Sequence, residues 1–587
     1  MRYCFIFLKR YADKLSCIIC NRCIFYLLLA IAVFVSLSQL YHCIHVWYDR
    51  GWIIYLRRLS DAMLLALPVI FWRRKSIVFS WISLLVLFLL SIIWYFRTYG
   101  TIMPISSYFM IDNLNGLFPC IWDSVHAKDV LVILPFFIYI GIYSYFYNII
   151  TRKVDWKCKV LVIGLIIGIV ISSYWPNKKW LYDNPLYLYG VAQVKTFKEY
   201  GIVNFWIYQI YFYQGVSKEE RKIAIDFMKK LPKNIDMEIC DSVKARKNLI
   251  LILVESMQSW PIELVVDGIE VTPNINALLH QNNSIYFPKE VPQVKDGRSS
   301  DAQLLINTGL LPLYMGATSG MCTHNTFPSL AAALNEKGYT TVSFICDEKD
   351  YWNQEVMSMA YHFEYLFDNI QKGFGRAKAD EALFDTALSF LKGMKQPFYA
   401  QLVTLSTHSP YLRPLIESEL EKATFKSEEI KYYLIAMQYV DYCIGKFIRQ
   451  LKSEGLFDNS IVVITGDHEQ TTFNQYVGRE EMKAEDCFVP FIILNSPLTS
   501  QHTDKVIGQM DIYPSLLNLM GCCDYYFTGL GESVFNEQIS DYAMYRSDIV
   551  VGGTNVSDSV KQSRQECWRI SDILLRMDYF GNLTKKN

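Results

Sequence analysis

The stretch NLILILVESMQSW, residues 248–260, decides the fold. It opens as an unbroken apolar run and ends on a carboxylate, Glu255, followed by Ser256. A half-exposed strand alternates apolar and polar residues, whereas a continuous run fits a strand buried on both faces. Runs of the same kind recur at TTVSFIC (340–346), FYAQLVTLS (398–406), SIVVITGD (460–467) and FVPFIIL (488–494). Helical patterns lie between them, at 273–281, 327–337, 381–393 and 428–453. This alternation predicts an α/β domain with a mostly parallel central sheet covered on both faces. Ligands of such sheets bind beyond the carboxyl ends of the strands, so the chemistry is expected there.

Three of these strand ends carry reactive groups: Glu255, the pair Asp467-His468, and Thr407-His408. A fourth candidate is the loop DGRSSDAQ (296–303), which leads into a helical run and sets a hydroxyl where backbone N–H groups favour an anion. A carboxylate, an Asp-His pair and a serine oxygen would make a four-ligand divalent metal centre. Such a centre lowers the pKa of the hydroxyl and stabilises charge on a phosphoryl oxygen. Each piece has a plainer reading. A strand-end Glu can simply face solvent, His408 can be structural, and Ser-Ser-Asp before a helix is a common N-cap. His324, His362 and His502 are read as structural.

Upstream, the chain changes character. Of its 587 residues, 57 are Lys or Arg and 57 are Asp or Glu, but the balance is an average of two unlike parts. Residues 1–175 hold 17 Lys+Arg against 7 Asp and no Glu; residues 176–587 hold 40 against 50. The balance argues against a basic nucleic-acid binder. The apolar content of 52% argues against disorder. Runs at 23–47, 76–96, 130–151 and 160–175, with a weaker one near 52–72 interrupted by Arg57, Arg58 and Asp61, approach the roughly 20 apolar residues of a membrane span. Residues 1–175 are therefore expected to form a multi-pass α-helical membrane domain of about five spans.

Lys and Arg cluster before the first span, at 73–75 and at 152–159, which puts the N-terminus in the cytoplasm and everything after Trp175 outside. Arg57 and Arg58 fit this less well, and are expected to snorkel or to meet lipid phosphate. Residues 176–246 form an aromatic-rich connector, with 196–213 read as an interfacial or membrane-packed helix, or one docked on the globular domain, and 217–231 as an amphipathic surface helix. Residues 247–587 form the extracytoplasmic catalytic domain. Cys17, Cys20 and Cys23 are read as juxtamembrane residues that pack or face lipid. Eight Cys follow Trp175, and an oxidising exterior permits disulfides among them.

The segments VESMQSW (254–260), DGIEVTPNINALL (267–279), KDGRSSDAQLLINTGLLPL (295–313), YWNQ (351–354), LVTLSTHSPY (402–411), VVITGDHEQ (462–470), GQMDIYPSLLNLMG (508–521) and GLGESVF (529–535) resemble, in order, the alkaline phosphatase and sulfatase superfamily. Spans followed by this domain resemble the lipoteichoic acid synthases and related phosphoglycerol or phosphoethanolamine transferases. The resemblance implies Glu255, Ser299, Asp467 and His468 as ligands of one divalent metal ion, Mn or Zn more than Mg. It implies Ser299 as nucleophile, with Ser300 the runner-up, and Arg298, His408 and Trp352 as substrate-binding residues.

The chain departs from the synthase pattern at Gln354, where that pattern has Arg, and at Ile345, where it has His. A bidentate phosphate clamp is thus missing at 354. The residues after Ser299 are Ser-Asp-Ala-Gln, without the x-Pro-x-Arg needed for formylglycine maturation, which excludes ordinary sulfatase chemistry. The expected activity is transfer of a phosphoglycerol- or phosphoethanolamine-type group from a membrane phospholipid to an extracytoplasmic glycan, glycolipid or lipid. The alternatives are a hydrolase of the same fold and an inert membrane receptor.

Overall fold

The computed structural model describes residues 22–44, 52–72, 74–99, 124–147, 156–174, 201–212, 216–231, 235–243 and 247–584, a few isolated positions before 201, and not the short stretches 324, 350, 373–377, 412–415, 426, 471–486, 537–540, 546–548 and 553–557. Cys17, Cys20 and His324, most of the loop 97–129, and 175–196 lie outside the described residues. The chain forms two units, whose boundary at Gln214–Gly215 falls inside the stretch read as connector.

The first unit is helical: α1 (Arg22–Cys43), α2 (Trp52–Ala66), α3 (Lys75–Tyr99), α4 (Val130–Phe146), α5 (Trp156–Tyr174) and α6 (Ile202–Phe212). Among the described residues, Ile24–Cys43, Lys75–Arg97 and Ala127–Phe146 are long and apolar enough to cross a membrane. The runs at 52–72 and 160–175 do form helices, α2 and α5, with a shorter apolar stretch, Ile163–Ser172, in the second.

Contrary to the snorkelling expectation, Arg57, Arg58 and Asp61 of α2 are buried. The Arg58 guanidinium stacks 4.0 Å above the Tyr41 ring. Asp61 accepts the N–H of Ile202 at 2.8 Å and so caps α6. The aromatic face of α6 packs within this unit, Trp206 edge-on to Phe88.

The second unit opens with α7 (Lys218–Lys230) and α8 (Met237–Ser242). A reciprocal Ser217–Glu220 capping box starts α7. The strands are β1 (Asn248–Val254), β2 (Ile285–Val291), β3 (Thr340–Ile345), β4 (Tyr365–Phe367), β5 (Phe398–Val403), β6 (Ser460–Gly466), β7 (Val489–Leu494), β8 (Gln501–His502) and β9 (Ile507–Gly508). They make one nine-stranded sheet in the order β8-β2-β7-β6-β1-β5-β3-β4, with β9 also on β2. Every pairing is parallel except those of β7 with β2 and β6. β1, β5, β6 and β7 are buried at every position, as their unbroken apolar runs require.

Helices cover the sheet, among them α9 (Pro273–Leu279), α10 (Ser299–Thr308), α11 (Leu330–Glu336), α12 (Ala379–Leu391), α13 (Glu428–Ser453) and α14 (Ile512–Leu519). α13 is capped by Ser427, which accepts the N–H of Ile430. It buries Tyr433, Met437, Val440, Ile444, Phe447 and Leu451, a helical stripe against the sheet core of Ile250, Ile252, Phe344 and Leu402. Its Asp441 takes the N–H groups of Asn274 and Ile275 at 3.1 and 2.7 Å, satisfying the first turn of α9 from a distant helix. Beyond the sheet lie a hairpin, β10 (Tyr542–Tyr545) with β11 (Ile549–Gly552), and the C-terminal α15 (Asp558–Arg576) and α16 (Tyr579–Thr584). Cys240, at α8, forms a disulfide with Cys523, just after α14.

Candidate active site

Register brings the strand ends level. Val254 of β1 pairs with Gly466 of β6, and Leu253 pairs with Val403 of β5. The next residues, Glu255, Asp467 and Thr404, therefore emerge side by side at the carboxyl edge. The Thr404 hydroxyl accepts the N–H of Glu255 at 3.0 Å. Ser256 has a positive φ of 51°, which turns the chain sharply after Glu255. Its N–H donates to Asp467 Oδ1 at 2.7 Å and its hydroxyl to Glu255 Oε1 at 2.8 Å, so one residue braces both carboxylates. Gln509 holds the Asp467 carbonyl at 2.7 Å. Gly466 is required just before Asp467, since a Cβ there would lie 2.1 Å from the Met257 carbonyl.

The loop 295–301 supplies the hydroxyl. Asp301 is fully buried and accepts the N–H groups of Lys295 and Gly297 at 3.1 and 2.9 Å, folding the turn back on itself. A Cβ on Gly297 would sit 2.3 Å from Asp301 Oδ1, so only glycine fits. Arg298 occupies the N-cap of α10 with φ +46°. The Ser-Ser-Asp run is thus not the cap, and Ser299 is the first helical residue. Its hydroxyl lies 3.1 Å from Glu255 Oε2 and 3.4 Å from His468 Nε2. Ser300 points elsewhere: its buried hydroxyl donates to the Gly297 carbonyl at 2.7 Å and pairs with Ser319 at 3.0 Å.

Glu255, Asp467 and His468 bring one ligand atom each to within 4.8 Å of one another. His468 Nε2 is 3.6 Å from both carboxylates, while its Nδ1 faces the Glu469 carbonyl at 2.9 Å. That second contact orients the ring. Burial, and then the charge of Asp467, push the Glu255 carboxyl up to about 7. Burial pushes Asp467 up to about 6 and pulls His468 down.

Asp467 Oδ2 is buried and accepts no hydrogen bond of ordinary geometry among the described residues. Two converging buried carboxylates, an orphaned oxygen and an imidazole nitrogen, with a serine oxygen alongside, fit a divalent cation, whose charge would offset their repulsion.

The other expected residues are placed as follows. Arg298 Nη1 is 3.3 Å from Glu469 Oε1, and both side chains are buried. His408 lies on the loop after β5, half-buried, next to Thr407, whose hydroxyl donates to the Glu255 carbonyl. Trp352 has φ +52° and is followed by Asn353 at φ +53°. Asn353 Nδ2 donates to the Ser319 carbonyl at 2.9 Å, which ties this turn to the Ser300 side of the α10 entry. Gln354 is buried at the start of a short helix, Gln354–Ala360. His362 and His502 are exposed and outside the cluster. Sequence reading missed the bracing roles of Ser256, Thr404, Asp301 and Gln509. Only Ser256 carried a signal, its adjacency to Glu255.

A family model described as Sulfatase matches residues 247–522. Lipoteichoic acid synthase 1 of Bacillus subtilis (strain 168) is 30% identical over 318 residues, 51% of this chain and 50% of that protein. Lipoteichoic acid synthase 2 of the same organism is 28% identical over 319 residues, 51% and 49% of the two chains. The chain therefore spans about half the length of these two curated relatives. A lipoteichoic acid synthase of Staphylococcus saprophyticus is 25% identical over 522 residues, covering 83% of this chain and 79% of that one. The crystal structure of the lipoteichoic acid synthase LtaP from Listeria monocytogenes superimposes with a TM-score of 0.45 at 22% identity, over 59% of this chain and 98% of that one. Residues 247–522 thus match the Sulfatase family model, and the chain is similar to a lipoteichoic acid synthase over 83% of its length.

Proposed function

We propose that the protein transfers a phosphoglycerol- or phosphoethanolamine-type group from a membrane phospholipid to an extracytoplasmic glycan, glycolipid or lipid. The observation that carries this reading is the Ser299 hydroxyl, 3.1 Å from Glu255 in the Glu255–Asp467–His468 cluster at the sheet edge. The similarity to lipoteichoic acid synthases along 83% of the chain supports it.

In the first half-reaction, Ser299 Oγ forms a bond to the donor phosphorus. The phosphorus–oxygen bond to diacylglycerol breaks, and the leaving oxygen takes up the proton that Ser299 loses. In the second, an acceptor hydroxyl displaces Ser299 and restores its proton. This is nucleophilic catalysis in two steps. Glu255, Asp467, His468 and Ser299 would hold one divalent ion, which supplies positive charge to lower the hydroxyl pKa and offset phosphoryl charge. The mixed oxygen and nitrogen donors suit Mn or Zn better than Mg. Arg298, His408 and Trp352 contact the head group.

The same proposal places the protein in the cell membrane with about five spans, N-terminus inside and catalytic domain outside. The Cys240–Cys523 disulfide supports an oxidising compartment for that domain. Incubation of the full chain with head-group-labelled phosphatidylglycerol or phosphatidylethanolamine tests the activity. Label on an acceptor supports transfer, free glycerol or ethanolamine phosphate points to a hydrolase, and no turnover points to an inert protein.

A further inference from the structure

We propose that Glu469 and Tyr545 are positioning residues that hold the Arg298 guanidinium against the phosphoryl group during transfer. This inference rests on the phosphotransfer reading of the same site.

The geometry is built at some cost. Arg298 adopts φ +46° and ψ −119° at the entry to α10, a conformation that non-glycine residues rarely take and that is strained. Its position directly before Ser299 fixes where its side chain starts. Its far end is fixed by Glu469, whose Oε1 lies 3.3 Å from Arg298 Nη1. The Tyr545 hydroxyl donates to that same oxygen at 3.0 Å, from a strand outside the main sheet. Arg298, Glu469 and Tyr545 are 9%, 1% and 5% exposed.

Glu469 does two things at once. Its backbone carbonyl faces His468 Nδ1 at 2.9 Å and so orients the imidazole, while its side chain orients the guanidinium. The imidazole is within 3.4 Å of the Ser299 hydroxyl, so nucleophile, imidazole and guanidinium share one scaffold.

A buried Arg–Glu pair is weak evidence for stability, because desolvation offsets its attraction. Its value is directional. A planar guanidinium anchored by a carboxylate has its N–H groups fixed in one plane, which suits phosphate oxygens as an ammonium does not. Donors fixed before the reaction need no reorganisation as charge develops. Arg298 is the residue directly before Ser299, so its guanidinium starts beside the hydroxyl that attacks in the proposed reaction.

The test is a double-mutant cycle on the full chain in detergent, with fluorescent phosphatidylglycerol as donor. Tyr545→Phe keeps the ring and should lower kcat roughly tenfold with little change in KM, as loss of an outer partner does. Glu469→Gln should cost more. In an Arg298→Ala background, Tyr545→Phe should have no further effect. Inorganic phosphate binding, read by calorimetry on the same variants, should follow the same pattern without turnover. Additive losses, or unweakened phosphate binding in Arg298→Ala, would overturn the inference, since a merely structural strut acts independently of Arg298. Should Glu469→Gln fail to fold, the Tyr545→Phe arm decides alone. If Ser299→Ala retains turnover, the phosphotransfer reading fails. If Ser299→Ala is dead and the cycle is additive, only the positioning inference fails.

Discussion

Ser299 Oγ lies 3.1 Å from Glu255 Oε2, although the two residues are 44 apart in the chain. Ser300, one position on, has its hydroxyl committed to Gly297 and Ser319. Ser299→Ala is therefore expected to abolish turnover of labelled phospholipid. Ser300→Ala should keep turnover within a few-fold and cost stability of about 1 kcal/mol, the worth of a lost buried hydrogen bond. Lipid turnover and urea unfolding, measured on both variants, separate the two serines.

The carboxylates predict a pH dependence. The carboxyls of Glu255 and Asp467 are held up to about 7 and about 6 by burial, against ordinary values of 4.5 and 3.8. Values raised on folding mean that their contribution to stability is full below the ordinary range and is lost as pH rises through the folded values. In chelator-treated protein, thermal stability should fall over that window, and less so in Glu255→Gln. Added Mn should raise Tm more at about pH 7.5 than at about pH 5, because protons compete for the same oxygens. Equal stabilisation at both pH values would contradict a site built on these two groups.

Gly297 permits the fold of the turn that leads into Ser299. In Gly297→Ala the new Cβ meets Asp301 Oδ1 at 2.3 Å, and Asp301 holds the turn through two backbone N–H groups. The variant should lose about 1–3 kcal/mol, as overpacked sites do, and lose far more activity than that stability change explains. Denaturant unfolding beside lipid turnover measures both.

The disulfide between Cys240 and Cys523 closes a loop across 283 positions. Replacing both by Ala should destabilise the second unit by roughly 2–5 kcal/mol. Non-reducing peptide mapping should recover a Cys240–Cys523 cross-link from membrane-expressed protein. The adjacent Cys522 is a free, buried thiol and should not be found in it.

Apolar patterning made much of the second unit legible. The five continuous runs became β1, β3, β5, β6 and β7, and α13 spans Glu428–Ser453 as its pattern indicated. β2 escaped because Pro288, Lys289 and Glu290 interrupt IYFPKEV, and its register shifts between Phe287 and Glu290. The antiparallel direction of β7 leaves no mark in its composition. The clustering of Glu255, Asp467 and His468 was readable because all three follow strand ends. What orients the set was not: Tyr545 reaches Glu469 across 76 positions and Asp441 caps α9 across 166, and such pairings exist only once the chain is folded. The buried charges of α2 follow the same rule, since Arg58 meets Tyr41, and Asp61 meets Ile202, through tertiary packing.

The most direct measurement is mass spectrometry of the peptide containing Ser299, after acid quench of the full chain incubated with phosphatidylglycerol and, separately, phosphatidylethanolamine. A head-group phosphate on Ser299 with one donor, absent in Ser299→Ala and chased off by an acceptor, is the predicted result. Turnover with no adduct on Ser299, or with the adduct on Ser300, would contradict the account.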